Sequence, residues 1–174
     1  MEQSFLIELH HLTATKAREL FESKELSPIE VLDAVVARTT AIEPTINALS
    51  EEMLDTARAA ALESQERFAT GQADKPLERI PLLLKEEQPI AGYLAEEGSL
   101  TEKGTIAELS HPIVDRIYAA GAVVHGRTTT PEFCCAPYTD SKLWGVTRNP
   151  WNTDMTPGGS SRGIRRSTSK APRR

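Results

Sequence analysis

Two short segments of this sequence hold side chains that can do chemistry. The first is Ile80-Pro81-Leu82-Leu83-Leu84-Lys85, an unbroken apolar run that ends on a lysine. Lysine is rarely buried without a reason. Desolvation at the end of a buried strand would lower its pKa and leave a neutral amine able to act as a base. The plainer reading is a lysine that snorkels into solvent or pairs with Glu86 or Glu87. The second segment is Thr156-Pro157-Gly158-Gly159-Ser160-Ser161, a glycine pair directly before two hydroxyls. Glycines permit close backbone approach and unusual dihedrals, so the pair can build a strained turn that presents Ser160. The plainer reading there is a flexible Gly/Ser loop.

Other reactive side chains carry less. His10, His11, His111 and His125 have no spacing suited to a metal, and His125, inside a strand pattern, reads as a hydrogen-bonded structural residue. Cys134 and Cys135 are adjacent, which suits a structural disulfide poorly, and they lack the C-x-x-C or His partners of a zinc site. They read as reduced, small apolar residues. No metal and no cofactor are expected.

The elements that must position Lys85 and Ser160 follow from periodicity. Ser27-Pro28-Ile29-Glu30 is a strong helix start, with Ser27 as N-cap, Pro28 at the first helical position and Glu30 completing a capping box. Val31, Leu32, Val35 and Val36 follow at helical spacing, and Pro44 closes a helix expected over 28–42. Helices are also expected over 14–23 and 52–69, so that three helices form an N-terminal layer. The run 80–84 has the continuous apolar character of a buried strand, as has Ala122-Val123-Val124-His125. Between them a helix over 111–119, begun by Ser110 and Pro112 and stopped by Gly121, completes a βαβ unit with a parallel sheet. Residues 128–161, rich in Thr, Pro, Gly, Asn and Trp, form an ordered loop region.

The chain has 174 residues, enough for one domain, with 39% hydrophobic residues and a net charge of −5. No stretch approaches the apolar length of a membrane span, no leader pattern opens the chain, and a cytoplasmic location is the default. Charge is uneven. Residues 162–174 hold six of the twenty Lys and Arg and no acid, leaving fourteen bases against twenty-five acids in the remainder. Such a break marks a change of sequence character at residue 162. With no aromatic residue in it, this stretch offers nucleic acid only weak, salt-sensitive attraction.

Taken in order, three blocks resemble the amidase signature family. Ile80 to Glu86, with Ala91-Gly92 and Glu97-Gly98-Ser99, resembles the stretch around that family's catalytic lysine. Ala119 to Phe133 resembles its next helix-to-strand segment, and Gly145-Val146-Thr147-Arg148-Asn149-Pro150-Trp151-Asn152, leading to Thr156–Ser161, resembles the approach to its first catalytic serine. The resemblance covers residues 8–161. It implies an α/β fold in which helices flank a mixed sheet, here incomplete, with an N-terminal helical layer; residues 1–161 are then the N-terminal part of an amidase domain and 162–174 a divergent basic tail.

The resemblance also implies that Lys85 is the catalytic lysine and Ser160 the serine of a cis Gly159–Ser160 peptide. These two would relay a proton from a second, nucleophilic serine that attacks an amide carbonyl, in a Ser-Ser-Lys variant of nucleophile activation. Backbone N–H groups near that nucleophile would stabilise the oxyanion, although no residue of this chain is assigned to substrate or oxyanion binding. The nucleophile's position falls beyond Arg174, so the expected function is a carbon–nitrogen hydrolase represented by a truncated, inactive form. The alternative is a non-catalytic remnant or binding module that keeps the pocket. Residues 162–174 match nothing in the family and are expected to be disordered and read in a shifted frame, which the DNA after codon 161 would test. The implied partner is a small-molecule amide, with neither nucleic acid nor membrane. Three departures stand out: Arg79 where glycine is usual, Glu86 for aspartate and Thr129 where asparagine is frequent. Missing central strands would leave an exposed sheet edge and an open apolar face.

Overall fold

The computed structural model describes residues 9–72 and 75–160. The expectations for 162–174 lie outside the described residues. The first helix, α1 (Ala14–Glu22), is capped by Thr13, whose hydroxyl accepts from the Lys16 N–H. The second, α2 (Pro28–Ile46), begins with the expected capping box: Ser27 Oγ accepts from Glu30 N–H at 3.2 Å and Glu30 returns a carboxylate to Ser27 N–H at 2.8 Å. It does not stop before Pro44. Pro44 and Thr40 are both exposed, so the carbonyl that loses its helical partner can be hydrated, and the helix ends instead at Asn47, in the left-handed region at φ 53°.

Residues Leu49–Glu52 form a strand, β1, and the third helix, α3 (Leu54–Ala69), starts after it rather than at 52. Leu-Ser-Glu-Glu has no strand signature of its own. Its ladder is supplied by β3 (Val123–Thr128), with which it pairs antiparallel, Glu51 opposite Arg127 and Glu52 opposite Gly126. On its other side β3 pairs in parallel with β2 (Pro81–Lys85), giving the order β1-β3-β2 and the expected βαβ unit, whose crossover carries α4 (Pro112–Ala119). The N-cap of α4 is His111, whose Nδ1 accepts from Ile113 N–H at 3.2 Å, not Ser110, whose hydroxyl accepts instead from Ala91 N–H.

Both faces of the sheet are covered, which is why its two parallel strands read as apolar runs. Leu84 and Val124 pack with Met53, Ile90 and Val114 of α4, whereas Val123 packs with Leu32 of α2 and with Ala57 and Ala61 of α3. A further cluster of Leu9, Ala17, Phe21, Leu26, Val31 and Ala34 joins α1 to α2. Every residue of β3 is buried, Gly126 included. A methyl group there would sit 2.9 Å from Glu51 O and 3.1 Å from Leu83 Cδ2, so the strand packs tightly only with glycine.

Arg79, just before β2, has φ 72°, a backbone conformation that glycine adopts freely. Its side chain is buried, donates to Ser64 O at 3.0 Å and lies 5.7 Å from the centroid of the Phe21 ring. Burial pushes its pKa down to about 10 against the pull of Glu78. After β3 the chain makes a single 3-10 turn at Glu132–Cys134 and a short hairpin of β4 (Asp140–Ser141) and β5 (Gly145–Val146). Among the described residues, no helix is long and apolar enough to cross a membrane.

Candidate active site

Lys85 is the last residue of β2, at the carboxyl end of the parallel pair, where open α/β sheets present ligands to catalytic groups. The turn that follows is rigidly held. Gln88 N–H closes it on Lys85 O at 3.0 Å, and Glu86 N–H continues the ladder to Thr128 O at 3.0 Å. The fully buried guanidinium of Arg127 donates to the carbonyls of Glu86, Gln88 and Leu94 and pairs with Glu51 at 3.3 Å. Glu86 turns away from Lys85, accepting from Glu96 N–H at 2.6 Å and Glu97 N–H at 3.2 Å. Burial raises its pKa, opposed by those backbone donors and by Arg127.

Lys85 is only 5% exposed. Its Nζ donates to Ser160 Oγ at 2.9 Å and makes an ion pair with Glu87 Oε2 at 2.8 Å. The two sequence segments that held candidate chemistry, 75 residues apart, therefore meet. Ser160 is delivered by a chain that passes close against residues 137–138. A side chain at Gly159 would lie 2.7 Å from Tyr138 N and 2.8 Å from Pro137 C, while Thr139 Oγ1 donates to Gly158 O at 3.0 Å. Gly159 is a packing requirement and Gly158 takes φ 87°, so the pair is not a flexible linker, and the Gly159–Ser160 peptide is cis.

The charge state of Lys85 follows the paired reading rather than the neutral-amine one. Burial alone pulls its pKa down, but the hydrogen bond and charge of Glu87, together with the Cys134 thiol, outweigh it, and the net displacement is upward. Lys85 rests as an ammonium, not as a neutral amine. Glu87 is correspondingly lowered, chiefly by the hydrogen bond from Lys85. The reading in which Lys85 pairs with Glu87 is thus realised together with the contact to Ser160.

Cys134 was the residue least legible as part of this site. It reaches Lys85 because Phe133 and Cys134 both take positive φ, 48° and 56°, and because residues 130–133 pack on a second loop. Phe133 N–H donates to Glu97 O at 2.8 Å, Ser99 Oγ donates to Glu132 Oε1 at 2.7 Å, and a methyl on Gly98 would stand 2.7 Å from Thr130 O. Cys134 Sγ is 2.8 Å from Thr130 Oγ1. No spacing in the sequence signals this fold-back. Both cysteines are free thiols. Thr129 joins Thr147 Oγ1 at 2.7 Å and Ala48 O at 3.3 Å, tying the post-β3 segment to the end of α2.

His125 takes no part in the site. It is buried in β3, and burial pushes its pKa down to about 4. It borders an apolar cavity of about 400 Å³ between α1, α2 and β2, which is lined by neither Lys85 nor Ser160. Among the described residues, no cluster of three or more His, Cys, Asp or Glu has a metal-binding arrangement.

Comparison with known proteins bears on this geometry. The model of the Amidase family matches residues 30–164. The chain belongs to the amidase family. A glutamyl-tRNA(Gln) amidotransferase subunit from Chloroflexus aurantiacus is 35% identical over 158 residues, which are 91% of this chain and 32% of that protein. Among solved structures, a bacterial aryl acylamidase of the amidase signature enzymes superposes with a TM-score of 0.83 at 28% identity, covering 89% of this chain and 32% of that one. A 6-aminohexanoate cyclic dimer hydrolase superposes with a TM-score of 0.75 at 34% identity, covering 90% and 31%. The chain thus has the α/β architecture of the amidase signature enzymes and spans about a third of the length of the relatives it matches, at 32% of the first.

Proposed function

We propose that these residues carry the lysine and bridging-serine half of an amide-hydrolase site, with Lys85 as the base and Ser160 as the relay. The observation that carries this reading is the 2.9 Å contact between Lys85 Nζ and Ser160 Oγ at the carboxyl end of β2. Residues 1–161 are, in this reading, the N-terminal part of an amidase domain in the cytoplasm, and the nucleophilic serine is supplied from outside residues 1–174. Once Lys85 has lost its extra proton, that serine gives its proton to Ser160 Oγ as Ser160 passes its own to the Lys85 amine. The freed oxygen attacks the carbonyl carbon, the C–N bond breaks, and the leaving amine takes the proton back from Lys85 through Ser160. Water repeats the sequence on the acyl-enzyme and releases the acid. Names among the relatives, aryl acylamidase and 6-aminohexanoate cyclic dimer hydrolase, support a small amide as the substrate class.

A second reading, a non-catalytic remnant that keeps the pocket, is favoured by one observation: Lys85 rests as an ammonium paired with Glu87. A chimera separates the two. Residues 1–161 replace the matching third of an active aryl acylamidase, and release of aniline from an anilide is followed. The catalytic reading expects turnover, lost by about 100- to 10,000-fold on Lys85→Ala, the usual worth of a positioned base. A folded chimera without turnover supports the remnant instead.

A further inference from the structure

Lys85 Nζ is enclosed by three groups from three parts of the chain: Ser160 Oγ from the segment after β5, Glu87 from the turn after β2, and the Cys134 thiol from the 3-10 turn after β3. An amine can accept the Ser160 proton only through a free lone pair, and an ammonium has none. A carboxylate at 2.8 Å favours the ammonium. Glu87 stands two residues beyond Lys85, and the turn is fixed by Gln88 N–H on Lys85 O and by Arg127 on the carbonyls of Glu86 and Gln88, so the carboxylate is folded back over the amine rather than left to wander in solvent. The remaining nearby acid, Glu86, is committed to the N–H groups of Glu96 and Glu97. Glu87 and Cys134 are therefore the titratable groups that face Lys85.

We propose that Glu87 is a positioning residue of this site: by accepting from Lys85 Nζ it holds the lysine as an ammonium aimed at Ser160, so that the base form is reached only when Glu87 is neutralised or displaced. The proposal deepens the hydrolase reading and rests on it for its functional meaning. The structural part stands without it. Glu87 is 41% exposed on its side chain, so a substituent or an incoming group can reach it from solvent, whereas Lys85 itself is screened.

The test is a site-resolved titration of the 174-residue chain with lysine labelled at 13Cε, the Lys85 resonance being assigned by its loss in Lys85→Arg. In the unaltered protein the Lys85 signal should shift in the same acidic window in which the Glu87 carboxyl carbon titrates, below the ordinary carboxylate range, and this arm needs no variant. In Glu87→Gln the alkaline midpoint of Lys85 should move downward, with Glu87→Asp intermediate and Cys134→Ser producing a smaller downward move. An alkaline midpoint in Glu87→Gln that coincides with wild type, or no low-pH response of Lys85 to Glu87, overturns the proposal. If the titrations move but the anilide chimera is inactive, the positioning role stands and the hydrolase reading falls; an active chimera with unmoved titrations gives the reverse.

Discussion

Acidification should destabilise this fold through His125 in particular. The imidazole is 4% exposed within a fully buried strand, and its pKa in the folded chain is about 4 against an ordinary value of 6.5. The group is a base with a depressed folded pKa, so between these values the unfolded chain binds the proton and the folded chain does not. Stability therefore falls as pH drops through 6.5 and keeps falling until about 4. At 1.36 kcal/mol per pKa unit, the loss is about 2 kcal/mol between pH 7 and 5 and about 3 kcal/mol by pH 4. Against a domain stability of about 5–15 kcal/mol this is a large share. Urea unfolding at pH 7, 6, 5 and 4 measures it, with His125→Gln as the non-titrating reference that keeps a hydrogen-bonding side chain of similar length. Glu43 and Glu86, whose pKa values are raised by burial, act in the opposite direction, but they are present in both proteins and cancel in the difference. Parallel stability profiles for wild type and His125→Gln would refute the reasoning.

A further outcome follows from packing. Gly159→Ala places a methyl 2.7 Å from Tyr138 N with backbone as the obstacle, so it should cost about 1–3 kcal/mol in urea unfolding and, in the chimera, lower amide turnover by moving Ser160 off Lys85; an unchanged midpoint contradicts it.

What was legible in the sequence was local. The βαβ unit could be read because β2 and β3 are buried on both faces and so are apolar without alternation, and the start of α2 because Ser27, Pro28 and Glu30 carry their own capping chemistry. The elements that escaped depend on distant partners. Leu49–Glu52 is a strand because β3 offers it a ladder, and its two glutamates are tolerated because Glu51 meets Arg127 across the pair and Glu52 is exposed. Pro44 reads as a stop, yet the helix passes it because that side faces water. Spacing alone left Lys85 and Ser160 each with a plainer reading; their pairing was expected from the resemblance, and the contact follows from residues 137–139 gripping the glycine pair. Burial of Lys85 is visible in an apolar run, and Glu86 and Glu87 are adjacent in sequence, but which carboxylate meets the amine and the approach of Cys134 depend on how the turn folds back. Cys134 gave no signal because its approach depends on two consecutive left-handed residues that no glycine marks.

The central claim is that Lys85 and Ser160 act as one unit on the path of the proton. The most direct measurement is a double-mutant cycle on anilide hydrolysis in the chimera, comparing Lys85→Ala, Ser160→Ala and the pair. If the two residues form one relay, the double variant loses no more turnover than the more damaging single variant. Losses that multiply, the double variant falling by the product of the two single effects, would contradict it.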